Sequence, residues 1–334
     1  MRIKLIEAVL LGSAIWLAAA LPAAAATEVK VMGFGGSSNW PLFVAQEKGF
    51  FDKNGLDVKL LRAPDSTTQL LSLVDGKIDI AMTAIDNIVA YQEGQGDVPV
   101  KGTPDLFAFL GVNNGGRFNL IVAPEIKRYA DLKGKDLAVD AVTSGYALVL
   151  QEMLRQGGLK PGDYKLVSVG GSRQRWEAVR DKKVAGSLLN APYDATAEAA
   201  GFKRLANSGD HIKRYQGSVG ATRRAWAAAN ENTLVGYVRA YIAASDWLYD
   251  PANKGEAKAI LIKRQERMTP EEAERSYNEL LGASGTFSRK AAMDIEGVRT
   301  VLKLRSEFAQ PKKKLTDPNR YYDPKYYDKA LGGS

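Results

Sequence analysis

The chain has 334 residues, 45% of them hydrophobic, and a formal net charge of +8. It contains no cysteine and a single histidine, His211, which excludes disulfide frameworks, thiolate metal sites, Cys/His nucleophile pairs and multi-histidine metal centres. Lysines and arginines are scattered apart from Lys312-Lys313-Lys314, so the charge reads as solvated surface with a mild bias toward anionic solutes, and no nucleic-acid partner is expected.

Arg2 and Lys4 precede an apolar stretch from Leu5 to Leu21, and Pro22-Ala23-Ala24-Ala25-Ala26 follows it. This order of charge, apolar run and small residues is that of a secretory leader cleaved near Ala26, and the run is shorter than the roughly 20 residues of a membrane-spanning helix. Residues 1–26 are therefore read as a signal peptide on an exported protein. What remains exceeds the size at which single cores stop growing, so two domains are expected.

Strand-like Val29–Met32, helical Leu42–Phe51, strand-like Leu56–Leu61, helical Thr68–Val74 and strand-like Ile78–Met82 alternate, with Gly49, Gly55 and Asp75-Gly76 as stops. That alternation predicts a parallel sheet with crossover helices. Two apolar runs, Phe107–Val112 and Phe118–Val122, flank Asn113-Asn114-Gly115-Gly116-Arg117 and predict a first crossing between lobes. A second α/β cycle follows: Leu137–Val139, Tyr146–Gln156, Leu166–Val169, Gln174–Arg180 and Val184–Leu189. From Thr222 the period becomes helical, with Leu234, Val238, Tyr241, Ile242 and Leu248 on one face. Thr269-Pro270-Glu271-Glu272 predicts a helix start by capping box, and Ser288 a further one. A helical last third has to pack on a lobe built earlier, so the chain is expected to return near residues 207–218. The lobes are then 27–112 with 213–334, and 113–212. The tyrosines of Arg320–Tyr327 are expected to pack the C-terminus against a lobe.

Two enzyme-like motifs fail on inspection. Gly33-Phe34-Gly35-Gly36-Ser37-Ser38 lacks the third glycine of a dinucleotide loop, and Gln216-Gly217-Ser218-Val219-Gly220 has Gln216 where a nucleophile elbow needs glycine. No cofactor or metal is expected. What remains is a set of small polar residues at strand ends that open helices: Ser37, Ser38, Asn39 and Trp40; Thr83, Asp86 and Asn87; Thr143, Ser144, Gly145 and Tyr146; Ser172 and Arg175; Asn190 and Tyr193. Each caps its own helix or, taken together, they line one cleft, because ligands of open α/β sheets bind at strand carboxyl ends beside helix N-termini.

Pro41-Leu42-Phe43-Val44-Ala45-Gln46-Glu47-Lys48-Gly49-Phe50-Phe51, then Gly55-Leu56-Asp57-Val58, Gly76–Ala81 and Asp131–Lys135, resemble segments of the periplasmic binding proteins for alkanesulfonates, taurine, nitrate and thiamine-precursor pyrimidines. The resemblance implies an α/β, type II periplasmic-binding fold, two lobes joined by two crossing strands around a solute cleft. It implies delivery of a small-molecule solute to a permease and its ATPase at the inner membrane, and that transport role predicts a monomer. It adds Asn114 and Arg117 to the cleft residues. A eukaryotic branch makes the thiamine pyrimidine with a cysteine-rich motif, absent here. Trp40 and Tyr146 either stack on a flat solute or pack; Arg117 and Arg175 pair with an anion or stay solvated; Asp86 pairs with an amine or fixes an arginine. The competing functions are a secreted enzyme with Asp86 or Tyr146 as acid or base, and a ligand sensor for a membrane partner.

Overall fold

The computed structural model describes residues 25–115, 118–190, 192–266 and 268–332; most of the expected leader lies outside them. Among the described residues ten strands form two five-stranded sheets. They are β1 (Thr27–Gly33), β2 (Leu56–Arg62), β3 (Ile80–Ala84), β4 (Leu106–Gly111), β5 (Asn119–Val122), β6 (Asp136–Val139), β7 (Lys165–Ser168), β8 (Gly186–Leu189), β9 (Lys203–Asn207) and β10 (Ser218–Arg223). The first sheet has the order β2-β1-β3-β10-β4 and the second β7-β6-β8-β5-β9.

In each sheet four strands share one direction and the fifth, β10 or β5, runs antiparallel to both neighbours. These two are the strands that arrive from the other sheet. A strand that enters its lobe from the gap between lobes must run opposite to strands that end at that gap. Strand polarity therefore places the carboxyl ends of β1, β3, β6, β7 and β8 on a shared cleft, the position where α/β sheets bind ligands.

Side-chain alternation gives the first sheet two apolar faces. Val29, Val31, Ile80, Met82, Phe107 and Phe109 pack under helices Trp40–Glu47 and Glu231–Tyr249, while Ala81, Leu106 and Ala108 pack with Leu70, Ile88 and Val301 on the other side. That second cluster continues without a break into Leu120, Leu137, Ala147, Leu150 and Leu188 of the second lobe. The bridge is helix Ile295–Phe308, which packs on both Ile85–Gln92 and Gly145–Gln156.

The described parts of the two crossings, 112–115 with 118 and 208–217, run side by side. Gly217 N donates to Asn113 O at 3.0 Å, Ser218 N to Asn113 Oδ1 at 3.0 Å, and Ser208 N to Phe118 O at 2.8 Å. A Cβ on Gly217 would lie 2.3 Å from Asn113 Oδ1, so only glycine permits this approach. Gln216 is a strut between the crossings: its amide donates to Asn113 O at 2.8 Å and accepts from Asp294 N at 2.8 Å. The near-elbow motif is thereby explained structurally.

Two boundaries differ from expectation. Thr222 lies in β10, and the helical region begins only at Arg224. Ser288 opens a single turn in which Lys290 and Ala291 take positive φ, and the long helix starts at Ile295, capped by Asp294. The capping box at Thr269 and Glu272 is present.

The C-terminus is clamped by one buried carboxylate. Glu93 accepts from Lys313 at 3.0 Å, Arg320 at 3.1 Å and the Tyr321 hydroxyl at 2.9 Å, and Tyr321 and Tyr322 are buried. Burial pushes the Glu93 pKa up, but Lys313, Tyr321 and Arg320 outweigh it and hold it below the ordinary 4.5. A depressed carboxylate contributes stability that is complete above the unfolded value and is lost as pH falls through the folded one. Glu93→Gln is expected to cost about 2 kcal/mol at neutral pH through lost charge-assisted hydrogen bonds. Urea unfolding at neutral pH and in progressively more acid buffer should show that deficit shrink as pH falls through the folded pKa.

Candidate functional site: the interlobe cleft

On the first lobe, the β1 loop is tied down by its own side chains. Ser37 Oγ lies 3.1 Å from Ser276 Oγ, Ser38 is half-buried, and the buried Asn39 amide donates to Phe34 O. Trp40 differs from the stacking platform that sequence allows: its ring is fully enclosed in the first-lobe core and its Nε1 donates to Ala257 O at 3.0 Å. No face of the ring is open to a solute. Trp40→Phe is accordingly expected to lower the unfolding free energy by about 1–3 kcal/mol, from the lost indole hydrogen bond and lost packing. Solute affinity should stay unchanged by calorimetry.

At the end of β3, Thr83 and Asn87 are buried partners, Asn87 Nδ2 donating to Thr83 Oγ1 at 2.9 Å. Asp86 takes the second of its two sequence readings: it fixes an arginine. Arg305 Nη1 donates to Asp86 Oδ1 at 2.7 Å, and both side chains are almost wholly buried, 0% and 1% exposed. Burial pushes the Asp86 carboxyl above its ordinary pKa, with Arg305 pulling it back.

On the second lobe, Ser144 caps helix Gly145–Gln156 by accepting from Ala147 N and donates to Asp140. Tyr146 is half-buried between Phe118, with ring centroids 4.6 Å apart, and the Arg175 guanidinium, 5.2 Å from its ring. Burial pushes the Tyr146 hydroxyl pKa up, against the Arg175 charge. The structure joins Ser172, Arg175 and Asn190 into one unit. Ser172 Oγ donates to Asn190 Oδ1 at 2.8 Å and accepts from Arg175 Nη2 at 3.0 Å, while Arg175 Nη1 donates to Gly170 O at 2.8 Å. Tyr193 opens the next helix and packs toward Trp176 and Val179.

Arg175 is 2% exposed, and among the described residues no carboxylate forms an ion pair with it. Its partners are a carbonyl, a hydroxyl and a ring face, all neutral. A buried cation held by neutral groups has paid most of its desolvation already and gains strongly from an incoming anion.

Asn114 lies at the crossing and lines a cavity of about 300 Å³ with Phe118, Lys213, Tyr215, Ser284 and Thr286. Arg117 lies outside the described residues. A cavity of about 360 Å³ among Tyr91, Glu93, Val98 and Lys313 sits at the far end of helix Ile85–Gln92 from Asp86.

Sequence reasoning missed Phe118, Tyr215 and Arg305. For Arg305 a signal exists: it follows Val298, Val301 and Leu302 at helical spacing, which puts a charge on the apolar face.

A family model described as NMT1-like matches residues 23–262, well over half of the chain. The chain belongs to the NMT1-like family. Among curated relatives, a bicarbonate transport ATP-binding protein, CmpC of Synechocystis sp., is 28% identical over 67% of this chain and 36% of its own length. A 4-amino-5-hydroxymethyl-2-methylpyrimidine phosphate synthase, THI11 of Saccharomyces cerevisiae, is 30% identical over 44% of this chain and 41% of its own length. The chain thus spans well under half the length of these relatives. The periplasmic nitrate-binding protein NrtA from Synechocystis PCC 6803 superposes with a TM-score of 0.75 at 18% identity, covering 92% of this chain and 88% of that one. This NMT1-like chain therefore has the periplasmic-binding-protein fold, two mixed α/β lobes around a cleft.

Proposed function

We propose that this protein is the solute-binding component of an ABC-type importer, working in the periplasm as a monomer and passing a small anionic organic solute to a membrane permease and its ATPase. The lobes are 27–112 with 213–334, and 113–212, and the solute lies between them. The observation that carries the reading is Arg175, a cation buried at a strand end of the cleft with only neutral partners. Placement of the anionic group at Arg175 is favoured over the neighbouring helix N-terminus at Gly145, because the Asp86 carboxylate already faces that terminus. Ser172 and Asn190 supply orienting polar groups, and Tyr146 an aromatic wall. Retention of the solute unchanged distinguishes this reading from catalysis. Asp86, paired with Arg305, is poorly placed as an acid or base.

The test is a thermal-shift screen of the protein from Thr27 onward against alkyl sulfonates, taurine, carboxylates, nitrate, bicarbonate, pyrimidines and amines. A ligand at about 100 times its Kd stabilises by about 2.7 kcal/mol. The expected result is a shift with one anion class and recovery of that compound intact by mass spectrometry. A shift only with amines overturns the anionic assignment, and consumption of the compound overturns the binding role.

A further inference from the structure

The loop Thr143–Gly145 of the second lobe is gripped by groups from elsewhere in the chain. Arg305 Nη1, while bonded to Asp86, also donates to Thr143 O at 3.3 Å. Thr143 Oγ1 lies 3.5 Å from Asp97 Oδ1. At Gly145 the approach is so close that a Cβ would stand 2.8 Å from Asp86 Cγ and 2.7 Å from the Tyr215 hydroxyl. Arg305 is itself fixed from behind, Nε donating to Gln95 Oε1 at 3.0 Å and Nη2 to Gln95 O at 3.2 Å. One guanidinium thus serves acceptors on Asp86, Gln95 and Thr143, and only the last belongs to the second lobe.

We propose that Arg305 is the positioning residue for lobe closure: its fork holds the Asp86 carboxylate against the N-terminus of helix Gly145–Gln156 and ties the Thr143 carbonyl to the first lobe, so that the open–closed balance is set in the C-terminal helix.

The physical basis is a balance of two terms. When the lobes separate, the Thr143 contact is lost and water reaches the ion pair, so closure desolvates Asp86 and Arg305 and is opposed by that cost. Closure restores the carbonyl bond, and places a carboxylate at a helix N-terminus, where the unpaired N–H groups and the dipole favour negative charge. Asp86 Oδ2 has no hydrogen-bond partner among the described residues, and the Asp86 side chain lies against this terminus, its Cγ 2.8 Å from where a Gly145 Cβ would stand. Arginine is required because its planar fork presents several donors in fixed directions. Lysine keeps the charge for Asp86, but its single ammonium cannot also span Gln95 and Thr143. Two states whose energies differ by small opposing terms respond to a single lost contact with a large population shift.

The native chain has no cysteine, so two engineered ones can be labelled uniquely. Leu61→Cys and Arg180→Cys, exposed positions on the two lobes, carry a donor and an acceptor dye, and single-molecule energy transfer reads the interlobe distance in ligand-free protein. No solute is used, so the outcome is independent of the assigned ligand. The parent is expected to show a closed population, and R305K a closed-to-open ratio at least about tenfold lower, with circular dichroism confirming a folded chain. The double variant D86N/R305Q, which buries no charge, keeps the test available if the single change unfolds the protein; it loses the desolvation cost as well as the Thr143 tie and the carboxylate at the helix terminus, so its distance distribution is expected to differ from the parent's. An unchanged distance distribution in either folded variant, or a parent with no closed population, overturns the proposal.

Discussion

Replacing Arg175 by methionine is expected to weaken solute binding at least about 30-fold, corresponding to about 2 kcal/mol. Stability of the ligand-free protein should change by no more than about 1 kcal/mol. The two halves of this expectation have different origins. In the free protein Arg175 is a desolvated cation with neutral partners, Gly170 O, Ser172 Oγ and the Tyr146 ring. Removing it forfeits two hydrogen bonds but also relieves a buried charge, and these terms oppose each other. On the proposed reading the cation is the counter-charge of the solute in the complex, so its removal would leave an anion buried without a partner, the costlier of the two situations. Calorimetric titration and urea unfolding of the same preparation separate the two effects. A residue that served only to support the helix start at Ser172 would give the reverse pattern, with stability lost and affinity for correctly folded protein retained. Arg175→Lys is expected to fall between, since a lysine keeps the charge but loses the fork that bridges Gly170 and Ser172.

The outline of this fold was legible in the chain because its signals are local. β-branched runs, glycine stops and capping residues act within a few positions, and helices such as Pro270–Leu281 and Gly145–Gln156 begin at or within a residue of where those signals place them. β9 and β10 were not legible, because Lys-Arg-Leu-Ala-Asn and Ser-Val-Gly-Ala-Thr-Arg carry little apolar alternation. Their pairing is decided by β5 and by β3 and β4, elements far away in sequence. The site divides in the same way. Ser172, Arg175 and Asn190 could be grouped because a helix start and the next strand end lie side by side in any α/β repeat. Trp40 misleads because a large aromatic after a polar loop looks equally suited to a cleft wall and a core. Only packing against the helix that contains Ala257 decides between them. Arg305 meets Asp86 across 219 residues, and nothing local announces such a pair beyond the misplaced charge on an apolar helix face.

Substituting alanine for Gly145 is expected to produce a protein that is at least as stable as the parent yet binds solute at least about tenfold more weakly. Gly145 is the first residue of its helix and does not need a positive φ, so its backbone accepts alanine, a residue that favours helix by up to about 1 kcal/mol over glycine. In this structure the added methyl would meet Asp86 and the Tyr215 hydroxyl at under 3 Å, and on the proposed closure that collision is confined to the closed arrangement. Neither neighbour gives way cheaply. Asp86 is held by Arg305, and the Tyr215 ring is wedged against Gly115 in the crossing. The lobes must then part, and apparent affinity falls by the factor through which the closed population is reduced. Small-angle scattering reads the opening as a larger radius of gyration, thermal unfolding reads the helix gain, and titration reads the weaker binding. Unchanged affinity with unchanged dimensions would show that the Thr143–Gly145 loop yields to the methyl without the lobes moving, and that closure does not depend on this contact.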